Sequence, residues 1–426
     1  MNYEKIDLDS VGLVSYDFAP RCIQPDSLLH WPVFDHFHTV LESANTFLSI
    51  NPGVHAVACE TLHLRVEKDH IRDPDRSDYF QTGEILRPFV KGLRVWVQKR
   101  PENLRSPIPD QINYINFVPN IAKTEAADKN PMEIITEMND WIKEHRIPGR
   151  IISIDTLQMR GVEGEVNVDI TSWKQDSAAH VKQSFLNFFR IFYVIDASYP
   201  VEEIGFMDFL PETLEGVGIF SWPIVERLPE VVDHVSQWAK RLPPNVRLLN
   251  FQTILCRSDY KMCLDPYKTY YWDEYFHVYH RRLLRIGYAL TTEKSLPVVP
   301  VANMVTTVLF APGIVRDPHW YKWSGAYETQ STVKERMNAW IKLTQASVVG
   351  VETLAYKAST GAECSEGFNA MHTWNEKGRH GAKQEQYLIC LRVYINGAPD
   401  EPKDFLWPKT LLDWEKENPS SNCKFC

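Results

Sequence analysis

The 426-residue chain has no run approaching the ~20 consecutive apolar residues that would cross a bilayer, which excludes an integral membrane protein. It has no basic surplus either. Lys and Arg number 46 against 55 Asp and Glu, giving a net charge of −9 and a pI near 5.9, which argues against a general nucleic-acid binder. The opening MNYEKIDLDS is acidic and carries no apolar segment, so no secretory signal is expected. The common catalytic signatures are also missing. There is no GxSxG elbow, no GxxxxGK[ST] phosphate loop, no GxGxxG after a strand, no HExxH and no DDxxD. A nucleotide-driven enzyme, a Rossmann oxidoreductase, an ordinary serine hydrolase, a zincin and a class I terpene synthase are thereby disfavoured.

Cysteine is scattered. Eight residues occur, several inside strand-like runs such as TILCR (Cys256) and YLICLRV (Cys390). Thiols in such places behave as small hydrophobes, and with no export signal they suggest a reduced, cytoplasmic protein. The pair Cys423 and Cys426 alone has CxxC spacing. It follows the polar run ENPSSN and reads as part of a flexible tail, with half a metal site, a redox pair or a prenylation box as alternatives.

What the chain does have is self-similarity. Four segments align: VACETLHLR, ISIDTLQMR, LNFQTILCR and VGVETLAYK. Each places an acid or amide before a threonine and a base four residues after it. The threonines are Thr61, Thr156, Thr253 and Thr353, spaced 95, 97 and 100 residues apart. A second motif follows each copy (GLRVWV, FFRIFY, LLRIGY, CLRVYI) and carries Arg94, Arg190, Arg285 and Arg392. A third (YDFAP, INFVP, MDFLP, VLFAP, DFLWP) ends in a proline, which closes a strand because it cannot donate to a ladder. An aromatic precedes each Arg segment: Phe80, Trp173, Trp272 and Trp374. Between the third motif and the Thr motif lies a stretch with apolar residues three and four apart, such as Ile134, Ile135, Met138, Trp141 and Ile142, the spacing of an amphipathic helix. The Thr and Arg segments are β-branched and aromatic with period two.

The expected fold is therefore α+β: four tandem strand-helix-strand-strand modules of about 97 residues, pairing into two antiparallel sheet or barrel units with helices outside. Residues 1–204 would hold modules 1 and 2, and residues 205–412 modules 3 and 4 plus a closing DFLWP strand. Residues 413–426 would be a polar tail. Strand alternation puts Arg94 with Trp96 on one face and Leu93, Val95 and Val97 on the other. It makes each repeated Arg a partner for the acid of the neighbouring Thr strand (Glu60, Asp155, Glu352, with Gln252 in the third copy). The base after each Thr (Arg65, Arg160, Arg257, Lys357) would mark the exit into solvent.

This order of elements resembles the duplicated strand-helix-strand-strand fold of bacterial effector-binding domains and SOUL-type haem-binding proteins, over nearly the whole chain. A ferredoxin-like dimeric α+β barrel, which DWIKEHRIPG resembles in its helix end, is the alternative. Either resemblance implies an apolar small-molecule pocket within the sheet.

Function is sought where one copy departs from the others. The third does so most, with YYWDEYFHVYHRRLLRIGY. It supplies Asp273, Glu274, His277 and His280 as candidate acids and bases, and Trp272, Tyr279 and Arg281 as candidate ligand contacts. His277 and His280 would share a face on a helix but not on a strand. In the fourth copy TWNEKGRH adds Glu376 and His380. In the first, FDHFHTVL holds Asp35, His36 and His38 in an HxH spacing that suits a metal only if extended. No metal site is assigned and no cofactor is expected, with haem as the alternative. The resulting expectation is a cofactor-independent enzyme, of cyclase, isomerase, lyase or hydrolase type, acting on an apolar or aromatic small molecule. The alternatives are a protein that binds haem or another hydrophobic ligand, and an interaction scaffold.

Overall fold

The computed structural model describes residues 12–417 except 26–31, 68–69, 72, 83–88, 101–107, 120–130, 161–166, 174–182, 216–222, 259–269, 274–277, 292–303, 318–324, 361–366 and 376–383. The chain is a strand-rich mixture of α and β. Its first quarter runs β1 (Val14–Phe18), β2 (Cys22–Gln24), β3 (Val33–Phe34), α1 (Phe37–Ile50), β4 (Val54–Glu67), β5 (His70–Ile71), β6 (Asp78–Thr82) and β7 (Phe89–Lys99). The second runs β8 (Ile112–Phe117), α2 (Pro131–His145), β9 (Gly149–Arg160), β10 (Ser172–Trp173) and β11 (Gln183–Ile195). The third comprises β12 (Glu202–Phe209), β13 (Thr213–Glu215), β14 (Ile224–Val225), α3 (Leu228–Ala239), β15 (Val246–Ser258), β16 (Tyr270–Asp273) and β17 (Val278–Thr291). The fourth comprises β18 (Val305–Phe310), β19 (Ile314–Arg316), β20 (Ala326–Tyr327), α4 (Gln330–Thr344), β21 (Val348–Thr360), β22 (His372–Asn375) and β23 (Gln384–Asn396), and α5 (Leu411–Glu417) follows.

Four antiparallel sheets carry the structure. In each, a central strand (β7, β11, β17 or β23) pairs along one edge with a long strand (β4, β9, β15 or β21). The other edge is shared. Towards its C-terminal end the central strand takes β1, β8, β12 or β18. Near its start it takes a short strand from the next quarter: β10 on β7, β16 on β11 and β22 on β17. The last pairing returns to the beginning, with β6 on β23. Contacts also run from β4 to β9, β9 to β15, β15 to β21 and β21 back to β4. Strand pairing also crosses the boundary expected near residue 204. β16, beyond that point, belongs to the sheet built on β11, before it. Asp404–Pro408, expected as a closing strand, carries no strand, because both edges of β23 are already occupied.

The helices form where apolar residues recur at helical spacing, and each fills a wedge between two sheets. α1 packs Phe37, Val40, Leu41, Ala44, Phe47 and Leu48 against Leu93, Val95 and Val97 of one sheet and Phe192 and Val194 of the next. α2 lies between β11 and Ala289 of β17, and α3 between β17 and Tyr394 of β23. α4 places Val333, Met337, Trp340 and Ile341 between β23 and Trp96 of β7. Arg94 and Trp96 thus face one wedge, and Leu93, Val95 and Val97 another, as alternation requires. α2 starts on Pro131, with Glu133 in its first turn and Lys143 and His145 in its last, charges that suit the helix dipole.

The four long strands meet along their outer edges without a backbone ladder, so their N–H groups need other acceptors. The repeated acid supplies them. Thr61 donates its backbone N–H to Asp155 Oδ2 (2.8 Å), Thr156 to Gln252 Oε1 (2.8 Å) and Thr253 to Glu352 Oε2 (2.7 Å). Thr353 donates to Glu60 Oε2 (3.0 Å) and completes the circuit. The repeated arginines follow the same path. Nη1 of Arg190, Arg285, Arg392 and Arg94 reaches Oγ1 of Thr61, Thr156, Thr253 and Thr353 at 3.5, 2.9, 3.4 and 2.7 Å. Ser153 Oγ and the Asn250 carboxamide add further bonds to the backbones of Cys59 and Ile154. Gly350 is required at this seam, since a Cβ there would lie 2.2 Å from the ring of Phe251.

Arg and acid lie directly opposite in register in every sheet (Glu60↔Arg94, Asp155↔Arg190, Gln252↔Arg285, Glu352↔Arg392). The expected ion pair between them forms in the fourth sheet alone among these positions (Arg392–Glu352, 3.0 Å). Elsewhere the acid turns to the neighbouring threonine, and Arg Nε finds a partner on the edge strand: Asp17 (2.6 Å), Asn116 (2.8 Å) and Asp208 (2.7 Å). The bases after the threonine do not mark a solvent exit where they are described. Arg65 and Lys357 are buried, and Arg65 lies over the rings of Tyr79 and Phe89.

Candidate functional site

The third-quarter candidates do not form one cluster. Trp272 and Asp273 belong to β16, which runs beside Gln183 and Ser184 of β11. Tyr279, His280 and Arg281 belong to β17, beside β22. The segment from Val278 is a strand, so the shared helical face for His277 and His280 does not arise. Alternation sets His280 with Arg282 on one face and Arg281 on the other. Arg281 is buried. Glu274, His277, Glu376 and His380 lie outside the described residues, as do the side chains of Trp272, Asp273 and Tyr279.

The structure instead gathers ionisable groups between the first two sheets, below the start of α1. Lys91 on β7 and His63 on β4 are opposite in register and share a face. Facing them from the second sheet are Phe188 and Arg190. The Lys91 amine lies 5.2 Å from the centre of the Phe188 ring, and the Lys91 N–H donates to Thr171 O at 2.7 Å. Arg190 is fully buried. Its guanidinium stacks on Phe37 (3.7 Å) and Tyr114 (4.7 Å), and it also donates to Asn116 and to Val168 O.

Asp169 organises the upper wall. One of its oxygens accepts from Tyr114 Oη and from the backbone of His38, while the other lies 2.8 Å from His38 Nδ1 and 3.4 Å from His36 Nδ1. Its own carbonyl accepts from Phe37 N, so the turn at 167–171 caps the start of α1. α1 begins at Phe37, which leaves His36 extended and His38 helical, and both rings reach the same carboxylate. Among the described residues no three His, Cys, Asp or Glu side chains are grouped to hold a metal ion.

Burial decides the protonation states here. It pushes the Lys91 amine down to about 7, with the Arg190 charge adding to the effect and Asp169 opposing it. His63 presents accessible surface, while the protein packed around it and the Lys91 charge lower its imidazole to about 4. Burial lowers Arg190 to about 10, so it remains a cation at neutral pH. Asp169 is held below the usual carboxylate range by the hydrogen bonds of Tyr114 and His38, which outweigh its burial. The result is an amine on Lys91 that titrates near neutral pH and a neutral imidazole on His63, beside a fixed cation and an aromatic wall.

The sequence held a signal for this site. Lys91 stands where the corresponding strands have Asn187, Arg282 and Ile389, and His63 stands where they have Gln158, Leu255 and Ala355. The difference lies inside the strands, with His63 within the Thr motif and Lys91 immediately before the Arg motif, whereas the candidates above were drawn from loops and strand entries. Comparisons of the chain with protein-family models, with curated proteins and with solved structures give no match.

Proposed function

We propose that the chain is a ring of four duplicated strand-helix-strand-strand modules, and that it is a cofactor-independent enzyme acting by proton transfer on an apolar or aromatic small molecule held between the first two sheets. In this reading the neutral Lys91 amine takes a proton from the substrate. Arg190 stabilises the negative charge that develops, and Phe188 and Phe37 contact the apolar body. His63, uncharged and adjacent, relays or returns the proton. The observation that carries the reading is the placement of Lys91: buried on a strand, opposite His63, against Phe188 and near Arg190, with an amine poised near neutral pH as a general base requires.

The test uses a library of aromatic and aliphatic ketones, enones and hydroxy compounds, with native mass spectrometry reporting binding and NMR of deuterium incorporation from D2O reporting proton transfer. The expected result is a compound that binds and exchanges a C–H with wild type, and that binds to Lys91→Met without exchange. Binding without exchange in either protein would favour a hydrophobic-ligand carrier instead.

A further inference from the structure

A second place in the molecule departs from its counterparts, far along the chain from Lys91. In three sheets the Nε of the repeated arginine donates to an acid or amide directly opposite it on the edge strand: Arg94 to Asp17, Arg190 to Asn116 and Arg285 to Asp208. In the fourth the opposite residue is Leu309. Arg392 is 1% exposed, and its Nε has no hydrogen-bond partner, while its other nitrogens meet Glu352, Tyr356 and the carbonyl of Phe368. A buried guanidinium N–H left this way carries a desolvation cost that its three counterparts avoid.

The departure coincides with a cleft. An opening of about 600 Å³ lies between the end of β18, the turn at 367–371 and α5. Leu309, opposite Arg392 in register, and Phe368, whose carbonyl accepts from it, form part of its wall. Ala311 and Leu412 extend the apolar lining, Arg227, Thr410 and Lys416 supply donors, and Glu415 is the acid on the wall. The size is that of a small-molecule site, and its wall sets the apolar Leu309, Ala311, Phe368 and Leu412 beside the polar or charged Arg227, Asn369, Thr410, Glu415 and Lys416.

We propose that this cleft binds an apolar carboxylic acid, an alkyl or aryl carboxylate. Its apolar body lies on Ala311, Phe368 and Leu412. Its carboxylate enters beside Leu309 and accepts from Arg392 Nε, taking the part played inside the protein by Asp17 and Asp208. Arg227 and Lys416 draw the anion towards the opening. The leucine side chain makes no hydrogen bond that holds it in place, and it turns aside as the acid enters. The site is independent of Lys91, and either assignment stands without the other.

The probes are octanoate and octanamide, which match in length and differ in charge. Calorimetry on the full chain should show octanoate binding at least tenfold more tightly than octanamide. Leu309→Asp supplies the internal acid and should remove that preference, with octanoate affinity falling at least tenfold and thermal stability maintained. Leu412→Trp fills the cleft and should abolish binding of both. NMR of the arginine Nε–H groups in wild type gives a readout that needs no variant, and one signal should move downfield on adding octanoate. The assignment is overturned if octanoate does not bind, if octanamide binds equally well, if the preference survives Leu309→Asp, or if no arginine Nε–H signal responds.

Discussion

Thr353 in the fourth sheet donates its backbone N–H to Glu60 in the first, a bond between residues 293 positions apart. The other oxygen of Glu60 accepts from the indole N–H of Trp96. One carboxylate therefore satisfies two donors at the junction where the circuit of sheets closes. Glu60→Ala strands both of them. The expected loss is about 2–4 kcal/mol of unfolding free energy in urea titration, with faster amide exchange at Thr353. A loss within about 0.5 kcal/mol would mean that the junction does not depend on this acid.

Gln252 shows that the seam works with a neutral residue, since its carboxamide accepts from Thr156 N and donates to Thr156 O. Burial raises the Asp155 carboxyl to about 6. A carboxyl whose proton is held more tightly in the folded chain favours folding below its unfolded value of about 4, and that contribution is lost as pH rises through 6. Asp155→Asn should therefore be more stable than wild type at pH 8, by on the order of 1–2 kcal/mol, and should match it near pH 4. Urea denaturation at the two pH values checks this.

Lys91 works with the opposite sign. Its amine titrates near 7 in the fold against about 10.4 in the unfolded chain, so stability rises with pH between those values. Lys91→Met removes a buried charge at low pH. It should stabilise the protein by roughly 1–3 kcal/mol at pH 6, with the gain shrinking towards pH 10. A pH-independent effect would remove the case for a depressed amine.

Asp169 raises His38 above its ordinary value through a direct hydrogen bond, with its charge adding to the effect. Asp169→Asn should return the His38 titration, followed by proton NMR, towards about 6.5. It should also lower the Tyr114 phenol, which burial and Asp169 together hold well above 10. An unmoved His38 would place the ring elsewhere than against Asp169.

Much of the framework was legible. The stretches around DHFHTVLES, MEIITEMND, LPEVVDHVS and TVKERMNAW form α1 to α4, and the Thr and Arg motifs fall in the long and central strands. Local period reveals these, because helix and strand each bury one face. The short strands β6, β10, β16 and β22 were visible only as single aromatics, since two to five residues carry no period and their partners lie in another quarter of the chain. The role of Glu60 was legible as a fold-defining acid but not in its partner. Register places it opposite Arg94, and only the tertiary arrangement brings Thr353 within reach. Lys91 carries no local signal of its burial, because a lysine inside a strand pattern ordinarily faces solvent.

The return of β6 to β23 has a consequence for the order of assembly. β6 lies within the first 82 residues, yet the strand it pairs with starts at Gln384. During synthesis β6 and one oxygen of Glu60 therefore wait for about 300 further residues before their partners exist. Contacts this distant in sequence are slow to form, and a waiting strand edge is a template for mispairing. Docking of the last sheet onto the first is thus expected to be the late, rate-determining event of folding, and Glu60 and Thr353 are the residues that report it.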